Sequence, residues 1–255
     1  METGVRVQNR PGAGPRKKDG AAVLTGLLAG LLLIYILLIS TMEYICYSDM
    51  NYYRAEYEKH EVLKTLPEMS LDGDDGLMAL TVHMMKYLRG DADTPELQMT
   101  VRMGGELRGF FSQRELDHMA DVQKLFIGAI RLRRAAIAGA ALLLLCSRFL
   151  ICRDRRRFLR AAAKGVLMAT ALFLVLAGAL GVYIARDFNA AFIQFHHIFF
   201  TNDLWILDPN VDMLVNIVPE GFFFDVATRI LRAFLTELCL LVGGCVLILK
   251  RTKTP

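Results

Sequence analysis

The block from Ala21 to Ser40, near the start of the chain, spans twenty residues and contains no charged side chain. As an α-helix rising ~1.5 Å per residue, it is long enough to cross the ~30 Å hydrocarbon core of a bilayer. A cleavable signal peptide would have a shorter apolar region followed by small residues, and the residues from Thr41 to Glu43 offer no such site. We therefore predict a retained membrane anchor.

Three further blocks are long and apolar enough to span a membrane: Ala135–Cys152, Val166–Ala185 and Ala233–Leu249. Two of them carry one charge each, Arg148 and Glu237. Hydrophobic residues make up 54% of the chain, somewhat more than in ordinary soluble domains, and because they come in long blocks the chain is predicted to be a membrane protein. The predicted fold class is a mainly α membrane protein with four transmembrane helices and a small mixed α/β extracytoplasmic cap.

Basic residues cluster before the first block, between the second and third, and after the fourth. The clusters are Arg6, Arg10, Arg16, Lys17 and Lys18; Arg153, Arg155, Arg156, Arg157 and Arg160; and Lys250, Arg251 and Lys253. Positive charge is retained in the cytoplasm, so both termini are predicted to be cytoplasmic, and segments 42–130 and 186–232 to lie on the outer face. Residues 1–20 are predicted to be a disordered basic tail, and residues 21–255 a four-span membrane domain. The net charge of +4 reflects this bias, and we expect no nucleic-acid partner.

The first outer segment supplies the predicted cap. Residues 77–88 carry apolar residues at helical spacing, and residues 97–110 alternate around a glycine pair, which predicts a short hairpin. Ser112 and Glu115 fit a capping box that would start a helix running into the second block. That helix would carry His118 in its second turn and Asp121 on the same face.

The depth of His118 depends on where the second span begins. If Arg131, Arg133 and Arg134 mark the interface, His118 lies about 20 Å above it at ~1.5 Å per residue. If the span begins near Leu125, that distance is about 10 Å, and some arginines enter the membrane zone. We favour the second interpretation.

The second outer segment interleaves aromatic and carboxylate residues just outside a span. His196 and His197 precede Asn202, Asp203 and Asp208, and Trp205 lies among them. An interfacial aromatic belt would explain the aromatic residues alone, but polar groups near a membrane are costly unless they are used. Histidine transfers protons near neutral pH, so two histidines from different segments indicate acid–base chemistry.

Two motifs carry a resemblance to a known family. Residues 115–122 fit Glu-x-x-His-Met-x-Asp-Val, and residues 195–209 fit Phe-His-x-x-Phe-Phe-x-Asn-Asp-x-Trp-x-Leu-Asp-Pro. With Pro-Glu-Gly-Phe-Phe at residues 219–223 and the four-span layout, the chain resembles the Lit family of lipoprotein intramolecular transacylases, which are bacterial integral membrane proteins. The resemblance covers most of the chain from the first span onward and leaves out the basic tail.

The resemblance implies an activity and a location. Members move the sn-2 acyl chain of a diacylglyceryl-modified lipoprotein to the α-amine of its N-terminal cysteine, giving the lyso form, at the outer face of the bacterial cytoplasmic membrane. The expected partners are diacylglyceryl-modified lipoproteins and membrane lipid. No external acyl donor, cofactor or metal is expected.

The resemblance also implies site residues. The family's two catalytic histidines correspond to His118 and His196, and the role of His197 stays open. One histidine would accept the amine proton and the other would protonate the leaving alkoxide, in an order left open. Contact with the substrate is expected from the neighbouring polar and aromatic residues, which are Asp121, Asn202, Asp203, Trp205 and Asp208. Among these, Asp121 or Asp208 would orient a histidine ring, and Asn202 or the membrane arginines would stabilise the oxyanion.

Two alternatives remain open from the sequence. A metal-dependent membrane hydrolase could use His118, His196 and His197, although His-Glu-x-x-His and other compact zinc-ligand spacings are missing, also among the five cysteines. A non-catalytic scaffold or transporter subunit would need only the four spans, which show no inverted repeat.

Overall fold

The computed structural model describes residues 17–66, 69–70, 73–103 and 106–252. Its helices are α1 Lys17–Ser48, α2 Met50–Lys59, α3 Val62–Thr65, α4 Gly73–Arg89, α5 Gln113–Cys146, α6 Arg155–Arg186, α7 Phe188–Phe199, α8 Leu214–Ile217 and α9 Glu220–Arg251. A π-helical turn, Ser147–Ile151, continues α5. Its strands are β1 Met69–Ser70, β2 Thr100–Met103 and β3 Glu106–Gly109.

Within the described residues, four helices are long and apolar enough to cross a membrane, which agrees with the four predicted spans. Their bounds are Asp19–Ser48, Gln113–Ile151, Arg155–Arg186 and Glu220–Arg251, so each extends beyond the apolar block from which it was predicted. Residues 1–16 of the predicted disordered tail lie outside the described residues. Residues 17–20 belong to α1, so for them the prediction of disorder was wrong, because the helix continues past the apolar block into polar sequence.

The membrane helices approach each other through small residues. Helix α1 packs against α5, α6 and α9. A β-carbon built on Gly165 of α6 would lie 2.3 Å from the backbone of Gly26 in α1, and one on Gly30 would lie 2.8 Å from Cβ of Ala169. Backbones this close require glycine, which is a common basis of helix association in membranes.

Three charged residues within the spans, Arg133, Arg148 and Glu237, have partners inside the protein. Thr41 of α1 donates a 2.8 Å hydrogen bond to Glu237 of α9. Arg133 of α5 forms an ion pair with Glu43 of α1. Arg148 donates a 2.6 Å hydrogen bond to the carbonyl of Arg153, beyond the end of its helix. Pairing of this kind reduces the cost of placing charge near a membrane.

A short antiparallel sheet and a core of large side chains form the region between α1 and α5. The strand order is β1-β2-β3, and Met103 pairs with Glu106 across the hairpin. The glycine pair of the predicted turn lies outside the described residues, whereas its two strands fall within the predicted hairpin. The predicted helix of residues 77–88 is confirmed as part of α4. The apolar residues that recur there at helical spacing are buried, and they are Leu77, Leu80, Met84, Tyr87 and Leu88.

Helix α2 was not predicted, because its composition is polar. Its Tyr53 and Tyr57 are nevertheless buried, and both pack against Phe222 of α9. The same core includes Phe111, which precedes α5, and Ile217 of α8. Helix α2, the residues just before α5, helix α8 and the start of α9 therefore share one apolar core.

Candidate active site

The predicted capping box fixes the start of α5. Glu115 accepts a 2.7 Å hydrogen bond from the backbone N–H of Ser112, and the Ser112 hydroxyl accepts one from the Glu115 N–H at 3.3 Å. This satisfies two amides that a helix start leaves without intrahelical partners. Helix α5 begins at Gln113 as a result, which places His118 in its second turn.

The same residues connect α5 to the loop that follows α7. Glu115 is fully buried, and its second carboxylate oxygen accepts from the backbone N–H of Leu214. The Ser112 hydroxyl donates to Asp212 at 3.1 Å, and the other Asp212 oxygen accepts from the N–H of Asp208 at 2.8 Å. We call Ser112, Glu115, Asp212 and Leu214 the capping brace. The capping brace therefore fixes the position of residues 208–214 relative to the start of α5.

His118 of α5 and His196 of α7 lie side by side. Their ring centroids are 6.0 Å apart with the planes tilted by 36°, and the two residues are only 6% and 7% exposed. Nδ1 of His118 is buried and has no hydrogen-bond partner among the described residues. Each nitrogen of a neutral imidazole either donates or accepts one hydrogen bond, so this function of Nδ1 is still unused.

Burial and one hydrogen bond determine the state of His196. Burial lowers its pKa below the ordinary value, a nearby His197 adds to this, and the carbonyl of Phe192 acts in the opposite direction. Nδ1 of His196 donates to that carbonyl at 2.7 Å. The neutral ring therefore carries its lone pair on Nε2, which suits a general base.

Aromatic rings enclose the histidine pair. Phe192 and Trp205 lie 4.2 Å and 4.8 Å from the His196 ring, and Phe200 lies 5.2 Å from the His118 ring. The Trp205 ring is stacked on His196, and its buried Nε1 has no hydrogen-bond partner within the described part of the chain. His197 is exposed, with its ring perpendicular to Trp205. Only one of the adjacent histidines therefore faces the enclosed site.

The predicted polar residues fall into two groups. Asp121 accepts hydrogen bonds from Asn202 at 2.9 Å and from Lys124 at 2.8 Å. Asp203 is exposed and accepts from Arg114 through its backbone carbonyl. The exposed Asp208 carboxylate accepts two hydrogen bonds from Asn210, as in a turn, so the structure places it in the loop rather than against either histidine.

Residues that the sequence did not single out complete the site. Phe192, His196 and Phe200 recur at intervals of four, which is the helical period, but α7 was not predicted as a helix. Asp212 was not among the site residues predicted from the sequence. Its partners in the brace come from a segment about a hundred residues earlier, and no local pattern indicates such a contact.

A separate cluster has the geometry of a metal site. Glu56, His60 and Asp225 each offer a ligand atom, all within 4.8 Å of one another. The ammonium group of Lys59 lies 2.5 Å from the Asp225 carboxylate, so a side chain already supplies positive charge to this cluster. This cluster contains none of the residues in the histidine motifs.

The fold and the site together define a class of protein: a membrane-integral protein with a buried histidine pair suited to proton transfer. The family model of the lipoprotein intramolecular transacylase Lit matches residues 27–223, so the chain belongs to the Lit family. It is a membrane acyltransferase, a lipoprotein intramolecular transacylase, and the scaffold alternative is excluded. No curated protein sequence matches the chain significantly.

Solved structures show the same fold. An in meso structure of the membrane-integral lipoprotein intramolecular transacylase Lit from Bacillus cereus is similar with a TM-score of 0.69 and 21% identity, over 90% of this chain and 96% of that one. Two variants of that protein, with a histidine replaced by arginine or by alanine, give TM-scores of 0.66 and 0.61 at 18% identity. They cover 95% and 94% of those chains and 92% of this one.

Proposed function

We propose that this chain moves the sn-2 acyl chain of a diacylglyceryl-modified lipoprotein to the α-amine of the N-terminal cysteine of the same molecule. The product is the lyso-form lipoprotein. The observation that carries the proposal is the buried pair of His118 and His196, whose ring centroids lie 6.0 Å apart. Membership of the Lit family supplies the reaction class.

The reaction requires two proton transfers. The amine nitrogen attacks the ester carbonyl carbon and loses a proton, the carbon–oxygen bond to the glyceryl group breaks, and the departing oxygen gains a proton. We assign the base to His196, because its Nδ1–H is committed to the Phe192 carbonyl and its Nε2 carries the lone pair. The proton that His196 takes from the amine has to reach the departing glyceryl oxygen if both rings are to end neutral. We assign its delivery to His118, which lies beside His196 and whose Nδ1 has no partner among the described residues.

The substrate itself supplies much of the rate. Amine and ester belong to one molecule, so the reaction is intramolecular, and alignment of the two groups is worth up to ~7 kcal/mol of barrier or more. The Asp121–Asn202 hydrogen bond ties the loop after α7 to α5 and helps to keep the two histidines in place. We assign substrate contact to Trp205 and positioning roles to Asp121 and Asn202, while Asp203 and Asp208 shape the loop.

We place the site at the outer surface of the cytoplasmic membrane, with both termini cytoplasmic. Helix α7 supports this, because it exposes large apolar side chains while His196 is buried. The exposed apolar residues are Ile193, Phe195, Ile198 and Phe199, and the polar Asn189, Gln194 and His197 are exposed beside them. A helix of this kind lies in the interface, with its apolar face toward acyl chains. The ion pair between Arg133 and Glu43 supports a second span that begins before the arginines. The sheet and α4 then form the extracytoplasmic cap.

The test is a set of histidine variants. The enzyme is expressed with a reporter lipoprotein in a host that leaves the cysteine diacylated on glycerol and free at its amine. His118→Ala and His196→Ala are each expected to lower acyl migration by about 10² to 10⁴. The exposed His197→Ala serves as the matched control and is expected to stay within about threefold of the unmodified chain.

Mass spectrometry of the N-terminal lipopeptide distinguishes the outcomes. Constant mass with one acyl chain moved from ester to amide supports the proposal. Variants that insert normally and retain full activity would exclude the histidine pair. Loss of acyl mass in the unmodified enzyme would indicate a hydrolase instead.

A further inference from the structure

We propose that the indole N–H of Trp205 stabilises the oxyanion in this reaction, by donating a hydrogen bond to the ester carbonyl oxygen as it becomes negatively charged. The inference rests on the proposed function and goes beyond it, since it assigns a catalytic residue other than the two histidines.

The observation is an unpartnered donor beside the reacting groups. Nε1 of Trp205 is buried and has no hydrogen-bond partner among all the residues that the structure describes. Buried indole N–H groups usually have a partner, because leaving one without costs free energy. The ring that carries this donor stacks on His196 at 4.8 Å. The ring that carries the donor therefore packs directly against the proposed base.

The other donors that the sequence suggested are already engaged. The Asn202 amide donates to Asp121 and accepts from the backbone N–H of Leu204. Arg133 pairs with Glu43, and it lies fifteen residues beyond His118 on α5, roughly 22 Å at ~1.5 Å per residue. Arg131 and Arg134 are exposed on the same distant turn. Trp205, whose ring lies against His196, is therefore the candidate for this role.

The chemistry requires such a donor. As the amine nitrogen bonds to the carbonyl carbon, the π electrons of the carbonyl move to oxygen, and the resulting oxyanion collapses when the bond to the glyceryl oxygen breaks. An indole N–H donates a hydrogen bond and accepts none. It can therefore stabilise the negatively charged oxygen without taking a proton from the reacting groups. In a site that excludes water, a single preorganised donor typically changes kcat by about 10² to 10³.

The chain contains a single tryptophan, which allows an atomic test. Enzyme produced in a tryptophan auxotroph with 3-benzothienylalanine has sulfur in place of the indole N–H and keeps the shape of the ring. Enzyme produced with 5-fluorotryptophan keeps the N–H and is the matched control. Both are purified in nanodiscs and assayed for acyl migration on the reporter lipopeptide, alongside unmodified enzyme.

We expect the benzothienyl enzyme to lose about 10² to 10³ in kcat with KM changed less than about threefold, because the donor acts in the transition state. The fluorinated enzyme keeps the N–H, so its kcat should exceed that of the benzothienyl enzyme by about 10² to 10³. Equal kcat for the benzothienyl and fluorinated enzymes would overturn the inference. Trp205→Phe, which also removes the N–H, should match the benzothienyl enzyme; full activity there would contradict it too.

The two proposals fail in distinguishable ways. If the unmodified enzyme does not move an acyl chain from ester to amide, the proposed function fails. If it does and the benzothienyl enzyme is equally fast, the oxyanion assignment alone fails.

Discussion

The bundle of long helices and the region around the histidine pair are held together by different means. Between α1 and α6 the backbones come so close at Gly26 and Gly165 that no side chain fits. Near the histidine pair, large side chains form a core, and the fully buried Glu115 joins α5 to the start of α8 through a hydrogen bond. The bundle therefore supports the site, whereas the capping brace sets the relative position of its parts.

Removal of the Glu115 carboxylate should have the largest effect on the fold. Glu115→Ala leaves the buried amides of Ser112 and Leu214 without their charged acceptor, so we expect a loss of about 3 kcal/mol or more in the free energy of unfolding. Acyl migration should fall with it, since both histidine segments lose their common anchor. Thermal unfolding in detergent and the reporter assay measure the two effects.

Gln113→Ala is the matched control in the same helical turn. Gln113 is exposed and donates only to Asp117 on its own helix, so the change should cost about 0.5 kcal/mol or less. If Glu115→Ala were as mild as this control, the capping brace would not be what positions the site.

A methyl group at the closest backbone contact should affect the bundle and spare the chemistry. A β-carbon on Gly165 would lie 2.3 Å from the α1 backbone, so Gly165→Ala should cost about 1 to 3 kcal/mol through overpacking. At temperatures where the protein stays folded, kcat should be unchanged. The measurement is the unfolding midpoint together with kcat.

Gly181→Ala on the same helix is the control, because its β-carbon would meet nothing within 4 Å. A variant at Gly165 that stays as stable as this control would refute the close packing of α1 on α6. A variant that stays folded but inactive would refute the separation of bundle and site.

The hydrogen bond from Thr41 to Glu237 tests a smaller part of the bundle. Thr41→Val removes the donor to a carboxylate within the helices, and interhelical hydrogen bonds in membranes are worth about 0.6 kcal/mol on average and up to ~1.7. Unfolding in detergent should show a loss in this range, and Thr236→Val, whose hydroxyl bonds only its own helix, should show less. Equal losses would mean that Thr41 does not stabilise helix association.

The smallest effect concerns the titration of His196. Because burial lowers its pKa below about 6.5, the folded protein binds its proton less readily than the unfolded chain. The stability contribution is fully present above pH ~6.5 and is lost as the pH falls from there through the folded pKa. NMR titration of histidine-labelled protein, assigned with His196→Ala, should show this residue titrating below 6.5. Titration at or above that value would contradict an enclosed His196.

Local sequence patterns were sufficient for much of the fold. Each span is a continuous apolar block, and the capping box at Ser112 and Glu115 is readable within four residues. Helix α7 was missed because Phe188–Phe199 is apolar on nearly every side and is also typical of an interfacial belt. Polar α2 was missed because its tyrosines are buried only by residues far along the chain.

The arrangement of the site could be predicted less well from local sequence patterns. The contact of Glu115 with Leu214 joins residues 99 apart, which no spacing rule anticipates. The pairing of His118 with His196 was expected from the family resemblance, and the structure brings the two rings together. Trp205 was expected to contact substrate, but its unpartnered Nε1 is visible only once the surrounding residues are in place.

The central claim is that one acyl chain moves within one lipoprotein at the His118–His196 pair. The most direct measurement uses a reporter lipopeptide with a deuterated acyl chain at sn-2 only, incubated with purified enzyme and excess unlabelled reporter. The account predicts that the deuterated chain appears as an amide on the molecule that carried it, with total mass unchanged. Deuterated acyl chains on the unlabelled reporter, or released as free acid, would contradict it.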